Sequence, residues 1–406
     1  MIKYYNFISY IIFGVILFLS GSFHILKDSS LYVFFYLFLV IFCSLLGFNS
    51  VFNIKNKLSY VLFYVLFFAS TLSYFINFEN TAVISYLRFY SILYVSLIIS
   101  EKVKFKHFAK IYVNFFYFLA IFSLIIKLTT TFYTDFSTFF PQFTSERGVV
   151  FIDYFFASLH EHNIARINGF FWEPGINVSF NSIALLINSI YFSKGLTDKK
   201  NIFFILILLF SGSFAGYILF IIFYLIRSNI YSNTRQLVNI FIFIFLIFFI
   251  ANFEIFINFL VSINEEIFSK LYNESISLNT RINSPYIDFL IFSENPFFGT
   301  GISQYYANFE LYKLDDFILE SQTSTLTYFI ASTGFMGFAL ILTLLYKTFQ
   351  LSKLNSFASF WFILFIFFIL SKEPHQNFLL TFILLNYFVN INIKSINLYV
   401  IRKSIV

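Results

Sequence analysis

The chain has 406 residues, of which 59% are apolar and only 11% are charged, and it carries a net charge of +6. Soluble domains carry about 25% charged residues, so this composition excludes a soluble globule and indicates a membrane protein. The positive charge does not indicate nucleic-acid binding, because most of it lies in short segments between apolar runs, where it sets membrane orientation. Cys43 is the single cysteine, so an intramolecular disulfide is excluded, and it lies inside an apolar run.

Apolar runs recur along the whole chain, and those of about 17 residues or more are long enough to cross a hydrocarbon core of about 30 Å. In chain order they predict membrane spans at residues 6–23, 31–48, 58–76, 82–100, 111–128, 176–193, 202–226, 237–256, 323–343, 355–371 and 378–392.

The stretch 202–226 has two interpretations. It is long enough for one span, but Ser211-Gly-Ser213 and Gly216 interrupt it, and glycine and serine at such positions favour a break. If it forms two short helices and the N-terminus is cytoplasmic, every segment on the cytoplasmic side is basic, as membrane topology requires. We therefore predict an all-α polytopic membrane protein with about twelve spans. Residues 1–406 form one transmembrane domain, and both termini are cytoplasmic.

Two long polar segments then face outward, at 129–175 and 257–322. The second is strongly acidic, which predicts a well-hydrated segment. Within it, residues 286–292 are apolar enough to predict a helix that lies on the membrane surface.

The first outward loop ends in Arg166-Ile-Asn-Gly-Phe-Phe-Trp-Glu-Pro-Gly175. Pro174 suits the first turn of a helix, and Glu173 would then lie just before the helix N-terminus, where a carboxylate is favourable. That account is purely structural. The functional alternative is that the loop folds back onto the helices and holds Arg166 and Glu173 over a cavity at the outer membrane face.

Three further residues are candidates for binding or catalysis. Arg88 lies inside a predicted span, where it either contacts an anionic lipid head group or extends to the interface. Arg281 can bind diphosphate oxygens through its guanidinium fork, or it forms a local ion pair with Glu274 or Asp288. His375, in Glu373-Pro-His375, either lines the same cavity or belongs to a turn.

A metal site is not predicted. His160-Glu-His162 offers two histidines, but the sequence places no third ligand beside them, and zinc sites use three or four protein ligands. We therefore expect neither a metal nor another cofactor.

Four motifs together resemble the O-antigen polymerase family, within the wider polymerase and ligase superfamily. The resemblance covers roughly residues 80–390. The motifs are Arg166-x-x-Gly-x-Phe-x-Glu-Pro-Gly175, Ser211-Gly-Ser213, Pro296-x-x-Gly-x-Gly301 following Arg281, and Ala331-Ser-Thr-Gly334-Phe-Met-Gly337. The related ligases carry a histidine just before the span that contains Gly334. Residues 319–325 hold none, which favours a polymerase over a ligase.

The resemblance implies polymerisation of polyprenyl-diphosphate-linked oligosaccharide repeat units at the outer face of the bacterial inner membrane, producing O-antigen or capsule. It also implies a metal-independent reaction and, as partners besides membrane lipid, a chain-length regulator and a flippase. Since no metal is expected, we hypothesise that Arg166 and Arg281 bind the diphosphate with help from Arg88. Glu173 is then the general base, with His375 in reserve. The alternatives are an O-antigen ligase and a polysaccharide or lipid transporter.

Overall fold

The computed structural model describes residues 2–24, 29–47, 57–77, 83–144, 150–160, 167–211, 213–231, 283–312, 322–352 and 356–390. These residues are mostly helical. In chain order the helices are α1 (Ile2–Phe18), α2 (Ser29–Gly47), α3 (Lys57–Ile76), α4 (Val83–Lys102), α5 (Phe105–Phe132), α6 (Pro174–Leu186), α7 (Lys199–Phe210), α8 (Phe214–Tyr231), α9 (283–294), α10 (Gln304–Leu311), α11 (Thr325–Thr333), α12 (Phe338–Ser352), α13 (Ser356–Lys372) and α14 (Leu379–Asn390).

Within the described residues, four helical segments are long and apolar enough to cross a membrane: Leu58–Ile76, Val83–Lys102, Phe105–Phe132 and Thr325–Leu351. Each coincides with a span predicted from the sequence. Shorter apolar helices lie at Ser9–Phe18, Val33–Leu45, Ala215–Ile230, Ser356–Lys372 and Leu379–Asn390. The protein is therefore a helical membrane protein. The number of twelve spans and the orientation of the termini stay predictions, and the span at 237–256 lies outside the described residues.

The predicted interruption of 202–226 is confirmed, because α7 ends at Phe210 and α8 begins at Phe214. The two helices meet closely just beyond the break. A Cβ atom added at Gly216 would overlap the carbonyl oxygen of Leu208, and the Tyr217 hydroxyl donates to the Leu209 carbonyl at 3.0 Å. The chain thus turns back on itself at this point, and the glycine permits the close approach.

The segment 129–175, which the sequence predicts to face outward, contains a small antiparallel sheet that the all-α prediction missed. Its strands are β1 (Gln142–Thr144), β2 (Val150–Asp153) and β3 (Ser158–His160), in the order β1-β2-β3. Phe143 pairs with Phe151 across the first two strands, and their rings stack at 5.3 Å. Ile152 and Leu159 pack with Ile126 near the end of α5, so the loop folds against that helix.

The contacts divide the chain into two compact units. The first comprises Met1–Tyr64, Tyr86–Phe223 and Gln376–Val406, and the second comprises Val65–Ser85 and Tyr224–His375.

Aromatic side chains form the core of the first unit. The ring of Phe13 on α1 lies 5.7 Å from Phe108 and 5.9 Å from Tyr112, both on α5. The buried Tyr112 hydroxyl donates to the carbonyl of Phe180 on α6 at 2.9 Å. The Tyr387 hydroxyl on α14 donates to the Val103 carbonyl at 2.8 Å, which joins α14 to the segment between α4 and α5.

The second unit contains the predicted surface helix, which the structure extends to 283–294 as α9. Its Ile287 and Ile291 are buried, whereas Tyr286 and Phe289 are exposed. The exposed face is therefore also partly apolar, and the position of this helix on a membrane surface stays a prediction.

Candidate functional site

The segment that follows Arg166 folds back onto the helices of the first unit. The Ile167 N–H donates to the Ser211 carbonyl at 3.1 Å, which places the segment against the turn between α7 and α8. The Ile167 carbonyl accepts from Asn177 Nδ2 on α6 at 3.2 Å. Residues of two separate motifs, Ile167 and Ser211, are therefore in direct contact although 44 positions separate them in the sequence (211 − 167 = 44).

Gly169 provides the sharp turn in this segment. Its φ is +62°, and an added Cβ would lie 2.8 Å from the side-chain amide of Asn177. Its carbonyl accepts from the Ser158 N–H on β3 at 2.8 Å. The left-handed conformation and the close approach to Asn177 both favour glycine here.

Backbone bonds to the residues that follow α1 complete the attachment. The Phe23 N–H donates to the Phe170 carbonyl at 3.3 Å, and the Trp172 N–H donates to the Gly21 carbonyl at 3.4 Å. The segment from 167 to 172 is thus held by the residues after α1, by β3, by α6 and by the turn after α7.

Glu173 lies where the sequence predicted, at the position before the first turn of α6, with Pro174 at the start of the helix. Its φ of −138° and ψ of 137° are extended, and its side chain makes no capping hydrogen bond. Since the helix N–H groups do not use the carboxylate, capping alone does not explain the acid. Glu173 is half-buried.

Of the three arginines predicted to bind substrate, one lies within the described residues. Arg88 lies on α4 in the first unit and is half-buried. Arg166 and Arg281 lie outside the described residues, so the hypothesis that both bind one diphosphate stays a prediction.

In the second unit, the other two motifs also contact each other. The Thr300 N–H donates to the Ala331 carbonyl at 3.1 Å, the Gly301 N–H donates to the Ser332 carbonyl at 3.0 Å, and the Phe335 N–H donates to the Pro296 carbonyl at 2.8 Å. The Pro296–Gly301 segment therefore crosses the end of α11 at backbone contact.

Two glycines with positive φ make this crossing feasible. Gly299 and Gly334 both have φ +68°. A Cβ on Gly299 would overlap the backbone of Ser332, and one on Gly334 would lie 2.5 Å from the Phe297 carbonyl carbon. Backbone atoms cannot move aside as a flexible side chain can, so both positions require glycine.

Polar side chains in and just after α3 donate hydrogen bonds to the two segments that cross here. Ser73 Oγ donates to the Ser332 carbonyl at 3.1 Å, and Asn77 Nδ2 donates to the Gly299 carbonyl at 3.2 Å.

His375 is fully buried in the second unit. Its N–H donates to Thr325 Oγ1 at 2.7 Å, and Thr325 Oγ1 donates to the Glu373 carbonyl at 3.0 Å. Lys372 Nζ lies 3.5 Å from Glu373 Oε1, and both side chains are buried. Burial, together with the nearby Lys372 charge, lowers the pKa of His375 to about 3. The imidazole is therefore neutral and a weak proton acceptor at neutral pH, which leaves Glu173 as the better candidate base.

The second unit also buries a carboxylate that was not among the candidates predicted from the sequence. Asp288 on α9 is 1% exposed and accepts hydrogen bonds from the Tyr305 hydroxyl on α10 and from Thr327 Oγ1 on α11, the latter at 2.5 Å. Burial raises the pKa of Asp288 to about 7. Asp288 thus joins three helices. Its spacing from Ser284, Ile287 and Ile291 places it on the buried face of α9, and this was the signal available in the sequence.

Among the described residues, no group of three or more His, Cys, Asp or Glu side chains is arranged to hold a metal ion. Glu161 and His162 of the His160-Glu-His162 motif lie outside those residues.

The sequence matches no protein-family model, and no curated protein gives a significant match to it.

Proposed function

We propose that this protein polymerises polyprenyl-diphosphate-linked oligosaccharide repeat units into a surface polysaccharide at the outer face of the bacterial plasma membrane. The observation that carries the proposal is the pairing of the four motifs behind the family resemblance. In the first unit the segment after Arg166 contacts Ser211. In the second unit Pro296–Gly301 contacts Ala331–Gly334. Each motif is short and weak alone, but chance occurrences would not be expected to meet in space.

The proposed reaction is a glycosyl transfer between two lipid-linked substrates. A hydroxyl oxygen of the incoming repeat unit attacks the anomeric carbon of the growing chain, and the bond from that carbon to the diphosphate oxygen breaks. The hydroxyl proton passes to Glu173 as general base. The diphosphate leaves on its polyprenyl carrier with the bonding electron pair.

The leaving diphosphate needs positive charge placed where negative charge develops. Arg166 and Arg281 supply it in this proposal, because a guanidinium binds phosphate oxygens in a bidentate manner. Arg88 on α4 assists from within the membrane. The reaction needs no metal, and a flippase and a chain-length regulator are the expected partners.

The half-buried carboxylate of Glu173 supports its role as the base. It is free of capping hydrogen bonds, and a carboxylate must be able to reach the substrate hydroxyl in order to accept its proton. His375 is fully buried and has a lowered pKa, which favours Glu173 over it as the base.

Deleting the gene and restoring it as variants tests the proposal. Surface polysaccharide is separated on a gel from the deletion strain and from strains that carry wild type, Arg281→Ala or Arg281→Lys at equal protein level. We expect the deletion and Arg281→Ala to leave single repeat units, since the diphosphate contact is lost. Arg281→Lys keeps the charge without the fork and should restore only part of the polymer.

Other outcomes point elsewhere. Unchanged glycan in the deletion strain contradicts the proposal. Complete loss of surface glycan, including single units, indicates an earlier step such as lipid-linked sugar transport. Polymer of wild-type length with Arg281→Ala removes that arginine from the site.

A further inference from the structure

A fully buried amide in the first unit has no hydrogen-bond partner. Asn168 has no exposed surface, and neither its side-chain nitrogen nor its side-chain oxygen is paired within the part of the chain that the structure describes. Buried polar groups are nearly always hydrogen-bonded, and leaving one unpaired costs free energy. A side chain that destabilises the protein on its own needs another reason to be present.

The backbone around this amide is well fixed. Ile167 bonds to Ser211 and to Asn177, and the Gly169 carbonyl accepts from Ser158 at 2.8 Å. The Asn168 carbonyl itself accepts from the Phe171 N–H at 3.3 Å. The unpaired amide is therefore not the end of a loosely placed loop.

Another buried asparagine in the same unit shows the hydrogen bonding that an amide with a structural role makes. Asn177 Nδ2 donates to the Ile167 carbonyl at 3.2 Å, and its Oδ1 accepts from Asn181 Nδ2 at 2.8 Å. Both atoms of the Asn177 amide are thus satisfied inside the protein, in contrast to those of Asn168.

We infer that Asn168 is a substrate-binding residue whose amide pairs with hydroxyl groups of a sugar in the lipid-linked repeat unit. This inference rests on the proposed function. A side-chain amide offers two donor hydrogens and an acceptor oxygen, and a sugar hydroxyl both donates and accepts. A diphosphate only accepts, so it would leave the Asn168 oxygen unpaired, and a polyprenyl chain would leave both atoms unpaired. Because Asn168 has no exposed surface, the inference requires a neighbouring side chain to move when the sugar binds.

Replacing each asparagine by leucine separates binding from structure. Leucine has a similar size and no polar atoms, so Asn168→Leu removes the unpaired groups. We expect the purified full-length Asn168→Leu protein in lipid nanodiscs to melt at the wild-type temperature or above it. In the deletion strain the same variant should yield roughly tenfold less polymer than wild type at equal protein level, since its sugar contacts are lost.

Asn177→Leu is the matched control. It removes satisfied hydrogen bonds, so its melting temperature should fall below that of wild type.

Three outcomes overturn the inference. If Asn168→Leu makes polymer of wild-type amount and length, the amide does not contact substrate. If Asn168→Leu melts as low as Asn177→Leu, the amide is paired inside the folded protein, for example with a buried water. If the wild-type gene itself fails to restore polymer to the deletion strain, the proposed function fails, and the inference fails with it.

Discussion

The two motif contacts of this protein, one in each unit, differ in how tightly their backbones meet. In the second unit three backbone hydrogen bonds join Pro296–Gly301 to the segment from Ala331 to Phe335, and two glycines at φ +68° permit the close approach. In the first unit a backbone hydrogen bond joins Ile167 to Ser211, polar side chains such as Asn177 hold the surrounding segment, and that segment includes the unpaired amide of Asn168.

The difference indicates different tasks. A crossing that packs two glycines against backbone holds its two segments rigidly. Among the described residues, buried polar groups without a partner occur at both contacts, on Thr300 and Ser332 in the second unit and on Asn168 in the first. The first-unit segment, however, leads directly to Glu173 at the start of α6. We therefore expect the second-unit contact to determine stability and the first-unit contact to determine activity.

The largest effect is expected where the backbones cross in the second unit. Gly299→Ala places a Cβ into the Ser332 backbone at a left-handed φ, and we expect a loss of about 2–5 kcal/mol in the free energy of unfolding. Thermal melting of the purified protein or its folded yield measures this loss. Gly14→Ala is the control, because an added Cβ at Gly14 meets nothing within 4 Å. Equal melting temperatures for both variants would contradict the rigid crossing.

A smaller effect is expected for the corresponding glycine of the first unit. Gly169→Ala also has a positive φ, but its Cβ would meet a side chain, that of Asn177, which can shift at the cost of its hydrogen bonds to Ile167 and Asn181. The expected loss is about 1–3 kcal/mol, from the left-handed backbone and the weakened hydrogen bonds. If this variant melts below Gly299→Ala, the assignment of rigidity to the second unit is wrong.

The buried carboxylate of the second unit predicts a pH dependence. The pKa of Asp288 is about 7 in the folded protein against an ordinary value of 3.8, so the folded state holds a proton that the unfolded chain releases. The contribution of Asp288 to the free energy of unfolding is therefore largest below about pH 4, and it is lost as the pH rises towards 7. Asp288→Asn cannot titrate, so its melting temperature relative to wild type should rise over that interval.

The opposite pH dependence from His375 is common to both proteins, and it cancels in the difference between their melting temperatures. Parallel melting curves for wild type and Asp288→Asn from pH 5 to pH 7 would show that Asp288 titrates normally.

The smallest effect on stability is expected at Glu173. Its side chain makes no capping bond, so Glu173→Gln should change the free energy of unfolding by less than about 0.5 kcal/mol, through the helix dipole alone. Polymer formation should nevertheless fall by about 100- to 10,000-fold if the carboxylate is the general base. A quantitative polysaccharide gel beside a melting curve separates a catalytic role from a structural one. Full activity of Glu173→Gln would show that the carboxylate is not the general base.

Local sequence signals predicted several elements correctly. Apolar length placed the spans at α3, α4, α5 and the segment from α11 to α12. Ser211-Gly-Ser213 marked the break between α7 and α8, and Pro174 marked the start of α6. In each case the determinant lies within a few residues of the feature.

Features that depend on distant contacts were not predictable. The strands of the small sheet are only three or four residues long, too short for an alternating pattern to stand out in a phenylalanine-rich chain. The sequence placed His375 either at the cavity or in a turn, and it gave no sign that the residue is buried against Thr325. The burial of Asn168 and the pairing of the motifs likewise arise from packing between segments far apart in the chain.

Reconstitution tests the central claim most directly. The purified wild-type protein is placed in liposomes with lipid-linked repeat units and a chelator of divalent metals, and the glycan products are sized by mass spectrometry. The account predicts a ladder of oligomers that forms without metal and is absent with Arg281→Ala. Single units that persist unchanged with the wild-type protein would contradict it.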